Sequence, residues 1–129
     1  MSVNVKTRSG VEEYAVHGSE AFKSLAKARI LALKRFLENV EPEEENIWSG
    51  RSRKNELFKR LMSLIKASLS ILYDVPVPAS VREPSIENEY DLPLVVEDVA
   101  QMLALSGDPM LLRYAERYAV LARELEDII

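Results

Sequence analysis

Leu57, Leu61, Leu64, Ile65, Leu69 and Leu72 recur at steps of three and four residues, and that rhythm dominates the chain. Apolar side chains at this spacing line one side of a helix; a half-buried strand would need alternation. The rhythm returns in other stretches. Phe22, Ala26, Leu33, Phe36, Leu37 and Val40 follow it, and so do Leu111, Ala115, Tyr118, Ala122, Leu125 and Ile129. Between them, Leu94, Val95, Val96, Val99, Ala100, Met102, Leu103, Ala104 and Leu105 are apolar almost all round. A helix of that kind is central or lies at an interface. Four such stretches in 129 residues predict one all-α domain, with an antiparallel four-helix bundle as the economical packing.

Local signals punctuate the four stretches. Gly18-Ser19 opens the first helix, with Ser19 as candidate N-cap, and Glu41-Pro42 closes it. Residues 43–50 read as a loop. Ser52 is a candidate cap for a second helix over 53–73, whose polar face is Glu56, Lys59, Ser63, Lys66 and Ser70. Residues 74–90 hold Pro76, Pro78 and Pro84 and form the longest irregular stretch. Val75, Val77 and Val81 give that stretch apolar anchors, so it is expected to lie along the bundle as a strap. The third helix begins near Asp91, tolerates Pro93 in its first turn and stops at Ser106-Gly107. Asp108-Pro109 restarts the chain, combining an N-cap with proline at the first helical position. The short turn implies an antiparallel hairpin, and Ala115, Ala119 and Ala122 are small enough to let another helix approach closely. Residues 1–18 stand apart as an N-terminal extension to the helical domain 19–129. They read either as a short β-hairpin around Ser9-Gly10 or as a mobile tail that orders on a partner.

Composition removes several classes of chemistry. There is no cysteine, hence no disulfide framework, thiolate nucleophile or cysteine-based metal site. The single histidine, His17, leaves no two-histidine metal motif and is read as a surface or capping residue. Glu43-Glu44-Glu45 are neighbours in a loop and do not converge as metal ligands must. Glu12-Glu13 and Glu97-Asp98 lack the partner pair that a magnesium-dependent helical hydrolase would supply. The four glycines are scattered, so no phosphate-cradling loop exists. An enzyme is therefore not expected, and neither a cofactor nor a metal is called for. No run of about 18 apolar residues is present, and the N-terminus lacks the apolar core of a signal peptide. A cytoplasmic protein is expected. Absent cysteine, a single glutamine and abundant Glu, Lys and Arg fit a thermophile's composition.

The charge distribution is the most suggestive functional signal. The net charge of −4 conceals a split: residues 1–66 carry +4 and residues 67–129 carry −8. At 100° per residue, Lys23, Lys27 and Lys34 fall within about 40° of one another and form a stripe. Arg51, Arg53, Lys54, Lys59, Arg60 and Lys66 cluster at the start and outer face of the second helix. Basic side chains at a helix N-terminus oppose the helix dipole, while the free N–H groups there favour an anion. These nine residues are therefore the candidate nucleic-acid surface, acting on phosphates without base preference. The plainer reading is that basic and acidic halves attract each other inside the fold, with Glu20–Lys23 and Lys34–Glu38 pairing locally.

A partner surface is the second candidate. Trp48 sits in a polar loop, and Leu125, Ile128 and Ile129 add apolar surface at the C-terminus. With a third helix lacking a polar face, this predicts a homodimer or a protein partner. The expected function is a non-enzymatic helical subunit that binds nucleic acid through its basic face and a protein through its apolar C-terminal half. The alternative is a protein-only adaptor or homodimeric module built on the exposed side of the third and fourth helices.

Overall fold

The computed structural model describes residues 18–42 and 52–129, and the side chains from residue 20 and from residue 52 onward within those spans. The described residues are mostly helical, with four α-helices and no strand among them. The helices are α1 (Gly18–Glu38), α2 (Arg53–Ile71), α3 (Leu92–Leu105) and α4 (Pro109–Ile128). A single 3-10 turn over Glu89–Asp91 leads into α3. The N-terminal extension, His17, Glu43 to Glu45, Trp48 and Arg51 lie outside the described residues.

Each helix ends for a local reason. α1 stops at Glu38, short of the Glu41-Pro42 expected to close it. The Asn39 side chain donates to the Arg35 carbonyl at 2.9 Å, and the Asn39 and Val40 N–H groups reach back only three residues. Pro42 also disfavours the helical conformation for the residue before it. The Ser52 hydroxyl accepts from the Asn55 N–H and caps α2. α2 closes at Ile71 rather than Tyr73, ahead of Pro76 and Pro78, and Lys27 of α1 bonds the carbonyls of Tyr73 and Val75 beyond the end of α2. Asp91 does not cap α3. Its carboxylate turns backward and accepts from the N–H groups of Glu87 and Asn88, closing a capping box around the 3-10 turn. α3 ends at a left-handed Gly107, φ 74°, a conformation that a side chain would strain. Asp108 then accepts from the Met110 N–H at 2.9 Å and starts α4 with Pro109 behind it.

α3 packs against both α1 and α4, α4 packs against α2 as well, and the α1–α2 contact is the smallest of the four. The shared core is built from Ile30 and Leu33 of α1, Leu57, Leu61 and Ile65 of α2, Val96, Val99 and Leu103 of α3, and Leu111, Tyr118 and Leu125 of α4. Burying one such side chain fully contributes about 1.5–3 kcal/mol. The apolar run of α3 is thereby divided. Leu92, Val95, Val96, Val99, Ala100 and Leu103 are inside, while Leu94 and Leu105 are exposed.

The irregular stretch after α2 is held along α1. Ser24 donates to the Pro76 carbonyl at 2.8 Å, Lys27 to that of Val75 at 2.8 Å, and Arg35 pairs with Glu83. Val75 and Ile86 pack on the core. Pro84 and Ile86 then face Ala32 and Phe36 across a shallow cleft. Lys54 holds the far end through Glu89 at 2.9 Å.

Candidate functional site

The charged residues account for one another. Glu124 of α4 accepts from Arg53 at 3.0 Å and from Arg60 at 3.1 Å. Arg53 also reaches Glu56 at 3.3 Å. Lys23 sits 3.3 Å from Asp108 and 4.0 Å from Glu20. Lys34 bonds Glu38 at 2.9 Å. Lys27 spends its ammonium on two backbone carbonyls. The Met110 N–H, helped by Lys23, holds the Asp108 carboxyl below the usual carboxylate range.

Of the nine basic residues singled out from the sequence, six are thus engaged inside the fold: Lys23, Lys27, Lys34, Arg53, Lys54 and Arg60. They do so with different neighbours. Those of α1 meet the strap, the α3–α4 turn and their own helix, while those of α2 meet Glu124, Glu89 and their own helix. Lys59 and Lys66 are exposed and form no ion pair with a described residue. Their carboxylate partners are Glu89, Asp108 and Glu124 from the acidic half and Glu20, Glu38 and Glu56 from the basic half, so the two halves meet at only part of the cluster.

The C-terminal partner residues divide differently. Leu125 is fully buried in the core. It sits one turn after Leu121 on the inner face of α4, so it cannot meet a partner without opening that core. Ile128 and Ile129 are half-buried at its edge.

Beside them, on the exposed side of α3 and α4 that the alternative reading pointed to, lies a groove lined in part by Ile129. It has a volume of about 420 Å³, within the range of recognition pockets. Tyr90, Pro93, Leu94 and Glu97 form one wall, and Ala119, Ala122, Arg123, Glu126 and Ile129 form the other. Leu94 is 66% exposed and Tyr90 70% exposed. The small side chains Ala119 and Ala122 set its depth. Its signal in the sequence was Tyr90 and Leu94 flanking Pro93 at the start of an all-apolar helix. That helix is apolar nearly all round, so periodicity alone does not say which of its residues face out.

Among the described residues no group of three or more acidic or histidine side chains converges to hold a metal, and no helix is long and apolar enough to cross a membrane. Comparison with known proteins finds no matching family model, no matching curated protein and no matching solved structure.

Proposed function

We propose that this chain is a non-enzymatic interaction module that binds protein through the α3–α4 groove. The observation that carries this reading is the exposure of Leu94 and Tyr90 beside a groove with an apolar floor. A large apolar side chain left in water on a rigid helix offers a partner surface area at little ordering cost. An antiparallel bundle belongs to the same proposal. Ser68 opposite Tyr118 and Arg60 opposite Glu124 support opposed directions for α2 and α4. Lys27 bonded to the Tyr73 carbonyl supports the same for α1 and α2.

Nucleic-acid binding is the second reading, favoured by the exposed ammonium groups of Lys59 and Lys66 on α2. With Arg53, Arg60 and Lys54 committed to carboxylates, each phosphate contact there would first have to displace an internal pair.

Photo-cross-linking in the native cell tests the two readings together. A benzophenone side chain at position 94 is expected to capture protein, and one at exposed Ser70 of α2 is not. Capture of nucleic acid from position 59 or 66, with nothing from 94, would overturn the proposal in favour of the second reading.

A further inference from the structure

α4 has two open flanks, and they differ in sign. On the α3 side, the exposed Leu94 and Tyr90 stand between Glu97 and Glu126. On the α2 side, a second groove of about 520 Å³ runs over Leu64, Ala67, Val120 and Leu121. Its walls are Arg60 and Arg117, with Ser63 and Glu116. Arg117 lies over the Tyr114 ring at 5.7 Å, and neither it nor the exposed Arg113 and Lys66 nearby is ion-paired with a described residue. Val120 is 44% exposed in this groove. One flank therefore offers protruding apolar side chains in a net acidic rim; the other offers a receptive apolar floor whose basic excess, with Arg60 held by Glu124, comes from Arg117 and from Arg113 and Lys66 beside the lining residues on their helices. Each rim also holds one opposite charge, Arg123 among the acids and Glu116 among the bases, so the match rests on net sign.

We propose that the occupant of the α2–α4 groove is the Leu94 and Tyr90 edge of a second copy of this chain. Leu94 and Tyr90 of one copy seat over Leu64, Val120 and Leu121 of the next, with Glu97 and Glu126 facing Arg117 and Lys66. This rests on the protein-binding reading and names its partner. The charge complementarity selects self over an unrelated apolar surface, since like-signed rims would repel. The two flanks are different surfaces on one chain, so the contact is head-to-tail. Each added copy leaves one flank of each kind free, and growth continues past the dimer into a ring or a filament.

Sedimentation velocity of the full chain over a range of concentrations tests this. The mean mass of the wild type is expected to rise past that of a dimer with concentration and to fall with added salt. Leu94→Asp and Arg117→Glu each remove one flank, at exposed positions. Circular dichroism of both is expected to match the wild type, and Leu94→Ser and Arg117→Ala serve as milder versions. Each variant alone is expected to weaken self-association by about 30-fold, the scale of a hot-spot truncation. Mixed in equal amounts they are expected to form a heterodimer and nothing larger, because each supplies the flank the other lacks. A wild type that stays monomeric at high concentration overturns the inference. So does a dimer of Arg117→Glu alone, which would mean that like flanks meet. So does a mixture that recovers no association. Capture of a different protein from position 94, with the purified chain monomeric, would leave the protein-binding reading standing and remove only this one.

Discussion

The hydroxyls of Ser68 and Tyr118 lie 2.7 Å apart in the middle of the core, joining α2 to α4. Ser68 has one proton and gives it to the Ile65 carbonyl at 3.1 Å. Tyr118 is therefore the donor in the pair, and the Ser68 oxygen is its acceptor. Both residues are fully buried. The two ends of this bond are not equivalent. Ser68→Ala strands a buried phenol proton and is expected to cost about 1–3 kcal/mol, whereas Tyr118→Phe leaves Ser68 bonded to Ile65 and is expected to cost about 1 kcal/mol. Denaturant midpoints of the two variants check the order.

The same pair sets an alkaline limit. Burial pushes the Tyr118 hydroxyl well above its ordinary value. Its folded value exceeds its unfolded one, so its contribution is complete below about pH 10 and is lost as pH rises beyond that. The unfolded chain releases this proton first and is favoured there. Stability from about pH 9 to 11.5 should therefore fall more steeply in the wild type than in Tyr118→Phe, as urea melts at each pH would measure.

Glu124 serves two guanidinium groups that are themselves about half exposed. Such pairs are worth little in water. Glu124→Gln is expected to cost about 0.5–1 kcal/mol at low salt and to become nearly silent in molar salt. Thermal melts at two ionic strengths test this, and a cost that ignores salt would mean that packing rather than charge is lost.

Lys27 pins the strap. Lys27→Met removes two charge-assisted bonds to carbonyls, worth together about 1.5 kcal/mol after solvent competition. Tryptic cleavage after the exposed Arg82 should then speed up by about tenfold, because cutting follows the population of the opened segment. An unchanged rate would mean that Ser24 and Arg35 suffice to hold it.

The helices were legible from their apolar stripes; among the start signals, Ser19 falls inside α1, which already begins at Gly18, and Asp91 makes no cap bond to α3. Ser52 and Asp108 cap as their positions suggest, whereas of the three valines expected to anchor the strap only Val75 packs on the core, together with Ile86. What sequence could not give was pairing between distant residues. The basic cluster of α2 reads as a free surface until Glu124, more than sixty residues away, is seen beside Arg60. Leu125 reads as terminal apolar surface until α4 turns it inward, and Leu94 is one apolar residue among many until the structure leaves it exposed. Periodicity states that a helix has a buried side. It does not state where that side stops when nearly every residue is apolar.

The central claim is that most of the basic cluster is engaged within the fold and that the working surface is the α3–α4 groove. Anisotropy titration of labelled single-stranded and duplex nucleic acid between about 50 and 200 mM salt tests it most directly. With only Lys59 and Lys66 uncommitted among the eight described candidates, the account predicts no binding, or weak binding with a log–log salt slope no steeper than about −2. A slope of about −3.5 to −4.5, abolished by Arg53→Glu together with Arg60→Glu, would mean about five phosphate contacts and would contradict the account.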